Sequence, residues 1–100
     1  MNKVLIVDGY DIRTVVADIL RKEPDIRETD DYESLKDLYI EYTMSCDKGE
    51  QVDWMKHYIH VGLQKLDHAA SLRGQRSSWN SASGLEHEGF LDIIVAYDLI

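Results

Sequence analysis

The chain has 100 residues, enough for one domain with its own core and too few for two. An apolar share of 44 %, a charged share of 30 % and a single proline exclude a chain that is disordered over most of its length. The net charge of −8 opposes direct nucleic-acid binding, which needs clustered lysine and arginine, and permits a protein partner with a basic surface or simply solubility. Most of that charge lies in residues 1–50. Cys46 is the sole cysteine, so no intramolecular disulfide can form, and the N-terminal apolar run is too short for a signal or a membrane span. A cytoplasmic setting with no membrane partner is expected.

Residues 4–7, VLIV, predict a buried strand closed by a turn at Asp8 and Gly9. Asp11 is placed to cap a helix whose apolar residues Ile12, Val15, Val16, Ile19 and Leu20 repeat at three and four, and Pro24 closes it. The stretch KVLIVDGYDIRTVVADILRKEPD resembles the opening of a response-regulator receiver domain over about twenty residues. Gly9 after Asp8 departs from that family's acidic pair, and its further alternating strands do not follow, so none of its site residues is carried over.

Residues 23–33, EPDIRETDDYE, set six carboxylates around Arg27. Asp25, Glu28, Asp30, Asp31 and Glu33 are read as an acidic docking surface, with Asp30 and Glu33 at capping-box spacing for the next helix. That helix is expected to bury Leu35, Leu38, Tyr39, Tyr42 and Cys46 on one stripe, which makes the thiol a core group and not a nucleophile. A third, longer helix follows from Val52, Met55, Ile59, Leu63, Leu66 and Ala70, ending near Gly74.

Two further stripes run along the third helix. Trp54 and Tyr58, with Val61, lie nearly opposite its core face and form a candidate partner contact. Asp53, His57, His60, Gln64, Asp67 and His68 form the other. His57 and His60 with Asp53 or Asp67, and His87 from later in the chain, have donor chemistry for a divalent ion. They lack the HExxH spacing, so no metal is assigned and a solvated face is expected.

Residues 73–89 carry no periodicity and are expected to form a long loop, in which Arg73, Arg76 and Trp79 make an alternative ligand site for an anion or a stacked base. Residues 90–100, FLDIIVAYDLI, predict a second strand centred on Ile93, Ile94 and Val95. The fold class expected is α+β: one domain over residues 1–100, ordered βαααβ, with the terminal strands in a small sheet packed by three helices. Such a sheet has open edges, through which a homo-oligomer could form.

The sequence has no P-loop, Rossmann glycine fingerprint, nucleophile elbow or CxxC pair, so no catalytic residue and no cofactor are assigned. The expected function is a small acidic protein-binding domain, an inhibitor or modulator of the kind with which phages block a nucleic-acid-binding surface. The alternatives are a nucleotide- or anion-binding module using residues 73–89, and a structural subunit of an oligomer.

Overall fold

In this computed structural model the structure describes residues 4–74 and 79–100, with only the backbone for Trp79 and Asn80. Asp8 and Gly9 both have positive φ, 53° and 83°, the pairing that a two-residue type I′ hairpin turn requires. They fold β1 (Ile6–Val7) back on β2 (Tyr10–Asp11), antiparallel, with Val7 opposite Tyr10. The expected N-terminal strand is therefore the two-residue arm of a hairpin and is not buried throughout: Leu5 and Val7 are inside, whereas Val4 and Ile6 face solvent because the short hairpin covers only one side. Asp11 then caps α1 (Ile12–Lys22) by accepting from the Arg13 amide at 3.0 Å, and Ile12, Val16 and Ile19 turn into the core.

A one-turn 3₁₀ segment (Ile26–Glu28) leads to α2 (Asp30–Thr43). Its cap is Thr29, one residue before the expected Asp30: the Thr29 hydroxyl accepts from the Tyr32 amide at 3.2 Å. The buried face of α2 is Tyr32, Tyr39 and Thr43, with Leu35 half-buried. Leu38 and Tyr42, expected inside, are exposed. The reason is a rotation of the contact face toward tyrosines whose hydroxyls find buried partners. Cys46, also expected inside, is half-buried in the connection to α3, beyond the end of α2. Burial and then the nearby Glu50 and Asp47 raise its pKa, which disfavours the reactive thiolate.

The long helix α3 (Lys48–Arg73) packs against α4 (Trp79–Leu99), and the second of these overturns the C-terminal expectations. Residues 90–100 are not a strand and residues 79–89 are not a loop: 79–99 form α4. The run from Phe90 to Ala96 is buried throughout because α1, α2 and α3 all pack on this helix. A helix covered on every side loses the apolar periodicity that marks an amphipathic one, and its sequence then reads like a buried strand. With no C-terminal strand, the terminal sheet and the oligomer edge inferred from it do not exist as expected. The observed chain is mostly helical, with one small antiparallel hairpin at its start.

The α3–α4 seam is close-packed. Met55, Ile59, Gly62, Leu66 and Ala69 alternate at four and three along α3, and Ala82, Gly89 and Ala96 repeat at seven along α4. A Cβ at Gly62 would lie 2.6 Å from Ile93 and 2.8 Å from the Gly89 carbonyl oxygen, and one at Gly89 would lie 2.8 Å from the Gly62 carbonyl oxygen. The two backbones touch there, and nothing larger than hydrogen fits. The stripe expected to end at Ala70 ends at Ala69, with Ala70 outside. No helix among the described residues is long and apolar enough to cross a membrane.

Candidate functional site

The polar groups that hold α2 onto α4 also shape the largest groove of the molecule. Asp92 is 5 % exposed, in the middle of the apolar run of α4. A carboxylate so placed needs partners, and it has two: the Tyr39 hydroxyl donates to it at 2.5 Å and the Lys65 ammonium at 2.7 Å. Six residues on, Asp98 accepts the Tyr32 hydroxyl at 2.7 Å and both arms of Arg27 at 2.8 and 2.9 Å. Burial, reinforced by the bonded carboxylate, pushes the Tyr32 phenol up to about 12 and raises the Tyr39 phenol further.

Beside Tyr32, Asp31 reaches His87, whose ring also meets Glu23 at 2.9 Å. Adjacent residues of α2 thus touch positions eleven apart on α4, about 16 Å along its axis, and Tyr39 meets Asp92 between them. These contacts leave a groove of about 610 Å³ lined by Asp31, Leu35 and Leu38 of α2, Glu88, Leu91 and Asp92 of α4, and Lys65 of α3. Leu35, Leu38 and Leu91 are its aliphatic part, and Ser34 and His87 line it beside the charged residues. Carboxylates outnumber the lysine, which Asp92 already holds.

The exposed edge of the groove continues as an aromatic surface. Tyr58 stacks on Tyr39 with ring centres 3.9 Å apart, so it is half-buried and not the open contact expected, and it carries Trp54 at 6.0 Å. Tyr42 lies near enough to Tyr58 to raise its pKa, second only to burial. Glu50, Asp53 and His57 surround Trp54 in a shallow depression.

The expected acidic surface is present as carboxylates: Asp25, Glu28, Asp30, Asp31 and Glu33 are all exposed. Arg27, the cation among them in sequence, turns away to Asp98. The Arg27 side chain stays 41 % exposed, so the cation remains at the edge of the segment with its charge matched by Asp98. The three acids of the first α2 turn also sit where the helix dipole favours them.

The histidine stripe does not converge. His60 pairs with Asp8 of the hairpin turn at 2.5 Å, His57 lies against Trp54, and His87 belongs to the α2–α4 junction. No group of three or more metal-donor side chains gathers among the described residues. Of the alternative ligand set, Arg73 is engaged by Glu86, which holds that carboxyl below its usual range, Arg76 lies outside the described residues, and the side chain of Trp79 does too. Sequence reasoning missed Lys65, Glu88 and Asp92. The legible signal was Asp92 itself, a charge within an apolar run.

No family model, no curated protein and no solved structure matches the chain.

Proposed function

We propose that the protein is a small acidic protein-binding domain that acts in the cytoplasm by occupying a cationic surface of a partner protein, as an inhibitor or modulator. The observation that carries this reading is the pairing of Arg27 with Asp98. It engages the one cation of residues 23–33 with a carboxylate outside the segment while leaving Asp25, Glu28, Asp30, Asp31 and Glu33 in water. The same pair, with the Tyr32 hydroxyl, fixes the segment on the helical core, so its charges are presented at low entropic cost. A partner surface that binds nucleic acid would meet these carboxylates where phosphates otherwise lie, and steering between opposite charges would speed the encounter.

The test is retention from an extract of the protein's own source on the immobilised chain, eluted by rising salt. The proposal expects a basic protein that salt releases and that the variant Asp25→Asn/Glu28→Gln/Asp30→Asn/Glu33→Gln fails to hold. A protein held equally by the variant, or nothing held by the wild type, would remove the acidic segment from the account.

A further inference from the structure

Resting on that reading, we infer that the partner's recognition element is a basic amphipathic helix, which lies along α2 with its apolar face in the groove over α4. Asp31, Leu35, Leu38 and Tyr42 fall at i, i+4, i+7 and i+11, one stripe about 16 Å long, or three helical turns. The stripe flanks the face that Tyr32, Tyr39 and Thr43 bury, and Tyr58, stacked on Tyr39, carries Trp54 on the neighbouring α3. Leu38, Tyr42 and Trp54 are 38, 57 and 47 % exposed. Exposed apolar side chains beside a groove mark a binding site in a chain of this charge.

The charges around it choose the occupant. Acids stand at both ends: Asp31 and Glu88 at the groove, Glu50 and Asp53 at Trp54. Lys65 is committed to Asp92 at 2.7 Å and only approaches Glu88, at 3.9 Å. An apolar centre bracketed by carboxylates complements a segment with an apolar stripe and cations at either end. A second copy, itself at −8, would set acids against acids. An extended peptide would find no strand edge, because the lining residues stand on helices whose backbone groups bond internally. A helix laid in the groove needs only side-chain anchors at i, i+3, i+4 and i+7, which the leucines can meet, and places its cations against the carboxylates at both ends.

The test titrates the isotope-labelled chain with three synthetic peptides of about sixteen residues, followed by amide chemical shifts. The first carries leucine at i, i+3, i+4 and i+7 with lysine elsewhere, the second is a scramble of the same composition, and the third replaces lysine by glutamate. The inference expects the patterned basic peptide to bind roughly tenfold tighter than the scramble, to shift the amides of α2 and those around Trp54, and the acidic peptide not to bind. Leu38→Asp should weaken the patterned peptide by roughly tenfold with the thermal melt unchanged. Equal binding of pattern and scramble would overturn the helix inference; if that binding is lost in the four-carboxamide variant, the acidic surface itself stands. Shifts confined to the opposite side, around α1 and Phe90, or no binding by the patterned peptide, would also overturn it, leaving the salt experiment to judge the acidic segment separately.

Discussion

The two interfaces that α4 makes, with α3 and with α2, are built on opposite principles. Against α3 it meets glycine with glycine and alanine at heptad spacing, so the centre of that seam is apolar, close and intolerant of volume, with the ion pairs Lys65–Asp92 and Arg73–Glu86 beside it. Against α2 it is held by two carboxylate clusters, Asp92 with Tyr39 and Lys65, and Asp98 with Tyr32 and Arg27, around which α2 stands off far enough to leave a groove. The first interface secures the fold. The second holds a helix in place at a few points and keeps its outer stripe available.

The largest effect should come from the seam. Gly62→Val places carbon against the Gly89 carbonyl oxygen, a backbone atom that cannot swing aside, and about 3 kcal/mol or more of stability should be lost in urea unfolding. A loss under about 1 kcal/mol would show that the helices separate easily and that the close approach is not what joins them.

The polar interface should break more mildly and in a recoverable way. Lys65→Met leaves Asp92 with the Tyr39 hydroxyl alone, and since Lys65 is partly solvated the cost should be about 1–3 kcal/mol. Adding Asp92→Leu together with Tyr39→Phe removes the stranded carboxylate and the hydroxyl that would lose its acceptor, and the triple variant should regain most of that loss. Failure to recover would mean that Asp92 has a structural role beyond its charge pair.

The tyrosines supply a pH signature that the seam lacks. Their folded pKa values are raised, by burial first and then by the carboxylates they bond, so their contribution is fully present below pH 10 and is lost as pH climbs through the folded values. Stability should fall above pH 10 by up to about 1.4 kcal/mol per pH unit for each phenol, and Tyr32→Phe should flatten part of that limb. An alkaline limb identical in the variant would deny Tyr32 its share. The smallest effect belongs to the outer stripe: Leu38→Asp should change stability by about 0.5 kcal/mol or less, since the side chain faces water.

The same contrast explains what could be read from the sequence. The first helix and its Asp11 cap followed from a one-sided apolar period, and the long third helix from its threes and fours, because each has one wet face. The fourth helix has none over its second half, and FLDIIVAYDLI therefore imitates a buried strand. Ser81, Gly84 and their neighbours read as loop because local propensity is weak and the α3 seam, not propensity, selects small residues such as Ala82 and Gly89. The acidic segment was visible as charge. The engagement of its Arg27 by Asp98 was not, since a pairing across 71 positions leaves no local trace. The stripe of Leu38 and Tyr42 was hidden for a related reason: periodicity finds an apolar face but not which of two adjacent faces a buried Asp92 will attract.

The most direct test of the central claim is native mass spectrometry of the chain recovered gently from its own source, run beside the four-carboxamide variant. The account predicts a second, basic polypeptide at fixed stoichiometry with the wild type and its loss from the variant. The chain alone in both spectra, or the same complex in both, would contradict a function built on the acidic face.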